Sequence, residues 1–262
     1  MKIWTLMENT ACQEDLAAEH GLSLYIETGS RKILFDAGQT DAFVGNAAKM
    51  GVDLSLVDTA VLSHGHYDHS GGMKAFLEYN SNAKIYANQF APEPHFNGTE
   101  KYIGIDPALA ASERISYEKT DLSLGEGITL YSAGIPTPYG VESFGLNTRR
   151  FGRFVLDDFC HEQYLLIEED GKRVLFSGCS HRGILNIVTH FRPDVLVGGF
   201  HFMKLDPEGA GRVALEAAAR ALLDADCVFY TGHCTGLAQY AFLKERMGDK
   251  LRYLSAGSVT QI

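Results

Sequence analysis

Short apolar runs punctuated by turn residues set the rhythm of this chain, and two segments repeat that rhythm. Leu24 to Gly38 reads LYIETGSRKILFDAG, and Leu165 to Cys179 reads LLIEEDGKRVLFSGC. Each is an apolar strand, a two-residue turn, a basic pair and a second apolar strand. Gly29-Ser30 suits a type II′ turn and Asp170-Gly171 a type I′ turn, the two types whose twist matches that of the flanking strands in a tight hairpin. After the first hairpin, Thr40 can cap a helical stretch with Phe43, Ala47 and Met50 along one face, and Gly51 can end it. A strand from Thr59 to Ser63 then leads to His64. After the second hairpin, a helical stretch from Ile184 to Phe191 is ended by Pro193, and a strand from Asp194 to Gly199 leads to His201. Each half therefore reads hairpin, helix, strand, histidine. The second half continues with a helix: Asp206 as N-cap, Pro207 at N1 and an Ala-rich run from Val213 to Leu223. A strand from Cys227 to Thr231, the run Gly232-His-Cys-Thr-Gly236 and a last helix from Leu237 to Met247 follow. The pattern predicts an α/β protein of two similar halves. Their sheets pack face to face with helices outside, and a site lies between the halves at the strand ends.

Composition narrows this picture. At about 150 residues per domain, 262 residues allow one or two domains, and we read a single domain over residues 1–262. Apolar residues make up 45% of the chain, enough for a sizeable core. No Gly/Ser/Pro tract or long run of like charge marks a linker. A net charge of −10 disfavours a nucleic-acid partner, whose backbone prefers a basic face. Arg149, Arg150 and Arg153 form the one tight arginine cluster and read first as a solvated loop, with an anion clamp as the alternative. The opening MKIWTLMENT lacks a signal-peptide core, and no apolar run approaches the ~20 residues of a membrane span, so no membrane association is expected. Five scattered cysteines make a poor disulfide framework and fit a cytoplasmic location.

The chemistry concentrates in Ser63-His-Gly-His-Tyr-Asp-His-Ser-Gly-Gly72. Four ligand-type side chains, His64, His66, Asp68 and His69, fall within six residues directly after an apolar strand. Imidazole is a common neutral metal ligand, and a carboxylate adds the charge that a dication needs. A tight loop can aim His64 and His66 at one metal and Asp68 and His69 at a second. Gly65 and the Gly71-Gly72 pair give the backbone freedom to turn and let a helix begin. His201 ends the strand that corresponds to the one ending at His64, which puts it in the cleft for substrate contact or proton transfer, with metal binding as an alternative.

The run His-x-His-x-Asp-His after a strand, preceded by Leu34-Phe-Asp-Ala-Gly38, resembles the metallo-β-lactamase superfamily over essentially the whole chain. That resemblance implies an αββα sandwich with a binuclear metal centre, in which Asp36 supports the metal loop. It also extends to Val174-Leu-Phe-Ser-Gly-Cys-Ser-His181, where Cys179 stands in place of the family's bridging aspartate and His181 follows. Phe229-Tyr-Thr-Gly-His-Cys-Thr-Gly236 is similar to the last metal motif, with His233 as ligand. The implied metal set is His64, His66, Asp68, His69, Cys179, His181 and His233, with Asp68 and His201 as catalytic residues. The usual third histidine has no clear match; His95, His161 and His181 are the candidates. Glu8-Asn9-Thr10, Glu19-His-Gly-Leu-Ser23, Gly178-Cys-Ser-His-Arg-Gly183 and Gly198-Gly-Phe-His201 resemble a branch of metal-dependent hydrolases. That branch includes proteins labelled dihydropterin-ribofuranosylaminobenzene phosphate synthase, and it places Asn9 and His20 as site-lining candidates.

The expectation is a hydrolase with two divalent metals, zinc first and iron or manganese as alternatives. A metal-bound hydroxide would attack a phosphate ester or another ester or lactone. The expected partner is a small-molecule substrate, phosphorylated in one version, and a homo-oligomer is compatible with the sequence. Three other readings stay open: a pterin-condensing synthase, a diiron redox protein and a non-enzymatic metal-dependent binding protein.

Overall fold

The computed structural model describes all 262 residues. The chain opens with β1 (Lys2–Met7), the hairpin β2 (Ser23–Glu27) and β3 (Lys32–Phe35), helix α1 (Ala42–Lys49) and β4 (Thr59–Val61). Helices α2 (Tyr67–Ser70) and α3 (Met73–Tyr79) lead to β5 (Lys84–Asn88). The small hairpin β6 (His95–Asn97) and β7 (Lys101–Tyr102), then α4 (Pro107–Ala110), precede β8 (Ile115–Glu118). Next come β9 (Leu122–Gly125), β10 (Ile128–Tyr131) and the hairpin β11 (Leu146–Arg150) and β12 (Arg153–Leu156). The second half runs β13 (Tyr164–Glu169), β14 (Lys172–Gly178), α5 (Ile184–Phe191), β15 (Val195–Gly198) and α6 (Arg212–Asp224). It ends with β16 (Val228–Thr231), α7 (Leu237–Met247), β17 (Leu251–Tyr253) and β18 (Val259–Gln261).

Two seven-stranded sheets repeat one topology. The first is ordered β18-β1-β2-β3-β4-β5-β8 and the second β9-β10-β13-β14-β15-β16-β17. In each, the first four strands pair antiparallel and the last three join in parallel. The hairpin-helix-strand repeat in the sequence is thus half of a larger internal repeat.

Side-chain alternation explains why the sheets stack, because successive residues of a strand face opposite sides. Leu24, Ile26, Ile33 and Phe35 face Leu165, Ile167, Val174 and Phe176 across the middle layer. The Phe35 and Phe176 ring centroids lie 5.7 Å apart there. The intervening Tyr25 and Leu34 point outward to a core shared with Phe43 and Ala47 of α1 and Phe76 of α3. Leu166 and Leu175 do the same toward Ile187 of α5, Leu222 of α6 and Leu243 of α7. The result is the expected αββα sandwich. No helix is long and apolar enough to cross a membrane.

Local details differ from the sequence reading in three places. Asp170 and Gly171 both take a left-handed φ, as a type I′ turn requires, but Gly29 does not, so its turn is not type II′. Instead the Thr28 hydroxyl accepts the N–H groups of Ser30 and Arg31, and Glu169 accepts that of Gly29, which fixes the turn without a positive φ. Asp206 caps a separate turn through the Glu208 N–H, and α6 starts only at Arg212, because Gly209 and Gly211 interrupt the helix between them. Gly71 and Gly72 have ordinary helical backbones; their use is close approach, since a Cβ at either would collide with backbone carbonyls of Gln39 or Ala37.

A third, four-stranded sheet, β12-β11-β6-β7, was not anticipated. It packs beside the His64–His69 loop, where His66 bridges to Gly104 and the Tyr67 N–H donates to Ile103. The arginine cluster lies on its β11–β12 hairpin. Arg150 pairs with Glu93 and Asp158, and Arg149 lies over the Phe154 ring, so this is surface structure rather than an anion clamp.

Candidate metal centre

Every expected site residue lies just beyond the carboxyl end of a strand. β4 delivers His64 and His66, and α2 then presents Asp68 and His69. β14 ends at Cys179, with His181 in the turn before α5. β15 leads to His201, and β16 to His233 in a single 3₁₀ turn.

Hydrogen bonds behind these residues fix where their protons sit. Buried Asp36, at φ 58°, accepts the Ser63 N–H and hydroxyl at 2.7 Å each and lies 2.6 Å from His69 Nδ1. A carboxylate only accepts, so His69 carries a proton on Nδ1, and in the neutral ring Nε2 is bare. With its own proton on Asp36, the Ser63 hydroxyl accepts from His64 Nδ1 at 2.8 Å, which leaves His64 Nε2 bare. Asn9 Oδ1 accepts from His233 Nδ1 at 2.9 Å and from the Gly21 N–H, leaving His233 Nε2 bare as well.

These bare nitrogens converge. His69 Nε2 lies 3.1 Å from His233 Nε2 and 3.1 Å from Cys179 Sγ. His64 Nε2 lies 3.2 Å from His181 Nε2. His233 Nε2 is 3.3 Å from Asp68 Oδ2. For neutral imidazoles, the His69 and His233 lone pairs face each other at hydrogen-bond distance with no proton between them, an arrangement that a shared cation would satisfy. Two donor sets follow, His64, Cys179 and His181, and His69, Cys179 and His233 with Asp68 alongside. His66 borders the first, its ring 4.6 Å from that of His64 and 4.8 Å from that of His181. Imidazole, thiolate and carboxylate together suit a divalent transition metal such as zinc.

Most of the electrostatics agree with that fit; the exception is His69, where burial is outweighed by Asp36 and then Asp68, which favour the charged ring until a dication displaces its proton. Burial, and then neighbouring imidazoles, hold His64, His66 and His181 far below the usual histidine range, so they stay neutral, the form that can bind a metal. Burial opposes ionisation of Asp68, but His69, His20 and His233 outweigh it and the carboxyl stays charged. Burial, then Cys234, pushes the Cys179 thiol up, and a bound dication would reverse that.

The cleft over these donors encloses about 240 Å³ and is lined by His20, Asp68, Lys101, His201 and Lys204, among others. His20 Nδ1 faces the Asn9 amide, so its Nε2–H points to Asp68 Oδ2 at 3.2 Å. The His201 ring packs 4.2 Å from that of His181, its Nε2 buried and without a partner. Beyond it, an apolar cavity of about 610 Å³ runs along Tyr139, Phe144 and Phe200.

His95 and His161 lie behind His66 rather than in this cleft. Sequence reasoning missed two residues that shape the site. Glu8 Oε1 accepts the His233 N–H at 2.5 Å. Glu162, pushed up to about 7 by burial, accepts the His181 and Arg182 N–H groups at 2.6 and 3.0 Å. Glu162 stands in no recognisable motif, whereas Glu8 opens the Glu8-Asn9-Thr10 run quoted above, where only Asn9 was singled out as lining the site.

Residues 17–233 match the family model of the metallo-β-lactamase superfamily, and the chain belongs to that superfamily. A protein of Methanocaldococcus jannaschii carrying the name uncharacterized protein MJ0448 is 30% identical over 88% of this chain and 89% of its own. From the same organism, 7,8-dihydropterin-6-methyl-4-(β-D-ribofuranosyl)-aminobenzene-5′-phosphate synthase is 29% identical over 99% of this chain and 96% of its own. Among solved structures, a metal-dependent hydrolase of the β-lactamase superfamily, Tm1679, superposes with a TM-score of 0.84 at 28% identity, covering 100% and 99% of the two chains. Zinc-bound PqqB from Methylobacterium extorquens shares the fold at a TM-score of 0.58 and 12% identity, each chain covered in full.

Proposed function

We propose that this protein is a metal-dependent hydrolase of small anionic esters or lactones, with phosphate esters first among them. The observation that carries the reading is the convergence of bare imidazole nitrogens from His64, His69 and His233 on one cleft with Cys179 and Asp68. His64, Cys179 and His181 would hold one divalent ion, and His69, Cys179 and His233 with Asp68 a second. When bound, such ions activate water and stabilise the charge developing on the attacked group. Asp68, kept ionised and steadied by His20, is placed to accept the proton of the attacking water. His201 reaches the same cleft from the second half and is placed to contact substrate or return a proton to the leaving group. Lys101 and Lys204, on the cleft wall of a chain of net charge −10, supply local positive charge for an anionic substrate.

The test is turnover of a panel of phosphate esters, carboxylic esters and lactones by zinc-loaded protein. Release of alcohol and acid, abolished by chelation and by His69→Ala, is the expected result. A second reading, condensation of a pterin precursor with a ribosylated aminobenzene phosphate, draws support from the synthase relative and from the apolar cavity beside His181 and His201. Incubation with dihydropterin pyrophosphate and ribofuranosylaminobenzene phosphate separates the two. A coupled product, with no hydrolysis across the panel, would replace the hydrolase reading.

A further inference from the structure

The hydrolase reading leaves the larger of two adjoining hollows without a role. Across the His181–His201 pair from the cleft, the cavity of about 610 Å³ is walled by Tyr139, Val141 and Phe144 of the loop before β11, by Phe200 and Phe202 after β15, and by α6. That size lies within the roughly 300–1,000 Å³ of small-molecule pockets. The α6 wall is Ala214, Ala217 and Ala218, one helix face at i, i+3 and i+4, where side chains of a single methyl leave the space open.

Hydrogen bonds hold the outer wall in place. Asn186, a buried side chain of α5, accepts the Tyr139 N–H at 2.9 Å and donates to the Gly140 carbonyl at 2.8 Å. Tyr139 and Val141 nonetheless stand 63% and 37% exposed beside the cavity, so apolar surface there faces no partner. No lysine or arginine lines this space, and its one carboxylate, Glu142, accepts the Phe144 N–H at 3.2 Å. The cleft has the opposite character, with Asp68, Lys101 and Lys204 on its walls. His181 and His201 line both spaces, so the two form one continuous site, apolar on one side and charged on the other.

Resting on the reading of the cleft as a hydrolase site for anionic esters, we propose that the cavity is a subsite for an aryl group of the substrate. That group is joined through the ester to the anionic group held in the cleft. The substrate class narrows to esters with a flat apolar ring system on one side and a charged group on the other. The lining favours a ring over a flexible chain. Phe144 meets His201 edge to face at 5.4 Å, and Phe200 meets Phe202 the same way at 5.9 Å, an arrangement of edges and faces that a further flat ring extends. A rigid ring also loses less conformational freedom on binding than a chain does. The ester bond then lies at the junction formed by His181 and His201.

Titration calorimetry of the zinc-loaded full chain with two phosphonates, which present the anion without a hydrolysable ester, tests this. Naphthylmethylphosphonate should bind roughly 10- to 100-fold more tightly than methylphosphonate, the gain from burying an apolar group the size of a large side chain. Ala217→Trp, at an exposed position on the cavity wall, should remove that advantage and leave methylphosphonate binding unchanged. Val213→Trp, exposed on α6 but outside the cavity, should keep the advantage. Equal affinity for the two phosphonates overturns the subsite alone. So does an advantage that survives in folded Ala217→Trp, or one that is lost in Val213→Trp as well. The naphthyl preference, without hydrolysis of any ester in the panel, upholds the subsite and overturns the hydrolase reading. Failure of both phosphonates to bind overturns the subsite together with the anion-binding cleft.

Discussion

Asp36 commits both carboxylate oxygens to three donors, and through them it sets the proton positions of His64 and His69. Its replacement therefore has two separable consequences. Asp36→Ala leaves the Ser63 N–H and His69 Nδ1 buried without acceptors, a loss of about 3 kcal/mol or more that thermal unfolding of metal-free protein should register. Asp36→Asn keeps the shape and tolerates the positive φ, so it should lose less stability yet still weaken metal binding, because His69 Nδ1 loses its anionic acceptor. Equal metal affinity in wild type and Asp36→Asn would rule out this control. The cysteines give a second prediction at this scale. Thiolate is the reactive form, so a thiol whose pKa is raised gains reactivity only as pH rises past the ordinary thiol range. Burial pushes Cys227 up to about 12 and Cys179 in the same direction, whereas Cys12 is exposed. Site-resolved alkylation should label Cys12 in every state and Cys227 in none near neutral pH. Cys179 should resist labelling while metal is bound and, after chelation, react at a rate still climbing above pH 9. Identical Cys179 labelling with and without metal would return it to a packing role.

At the scale of elements, His201 tests the internal repeat. It follows β15, the strand that corresponds in pairing order to β4, and its left-handed φ of 56° turns the chain so that the ring meets His181. A bulky residue at positive φ persists where the surrounding structure demands it. His201→Ala should keep the wild-type metal content and lose turnover with substrate binding preserved, the signature of an interaction made in the transition state. A fall in metal content instead would make it a ligand. The strands and helices that carry these residues were legible because each announces itself locally. The two hairpins, α5 and α7 show their periodicity and their turn or stop residues within one window of sequence. The third sheet does not. Its strands are short, β7 and β12 are exposed throughout, and no alternation marks a buried face. The His95–Asp157 pair joins residues 62 apart, so tertiary contact alone reveals it. Asp206 misled for the opposite reason: a good capping residue served a turn of its own, and glycines kept the helix from starting there.

For the molecule as a whole, charge distribution bears on substrate choice. A net charge of −10 repels anions at long range, yet the cleft wall carries two lysines contributed by different parts of the fold, Lys101 from β7 of the third sheet and Lys204 from the loop after β15. Lys204 is steadied by the Phe144 carbonyl at 2.6 Å and Lys101 by the Tyr67 hydroxyl at 3.3 Å, contacts that hold the ammonium groups without neutralising them. Neither has a carboxylate within ion-pair distance, unlike Lys74, Lys32 and Lys244. Unpaired ammonium groups on the wall of a metal cleft can hold a phosphoryl or carboxylate group of the substrate remote from the bond that breaks. Each such contact is a charge-assisted hydrogen bond worth roughly 1.5–3 kcal/mol, which corresponds to about 10- to 100-fold in kcat/KM. Lys101→Ala and Lys204→Ala should each cost a phosphorylated substrate about that factor, mainly through KM, while its unphosphorylated counterpart changes little and zinc content not at all. Inorganic phosphate should inhibit the wild type competitively and more weakly in both variants, with inhibition falling as ionic strength rises. If both groups hold one substrate anion, the double variant should lose less than the sum of the single losses. Equal losses on charged and neutral substrates would show that the lysines maintain the cleft's shape rather than select an anion.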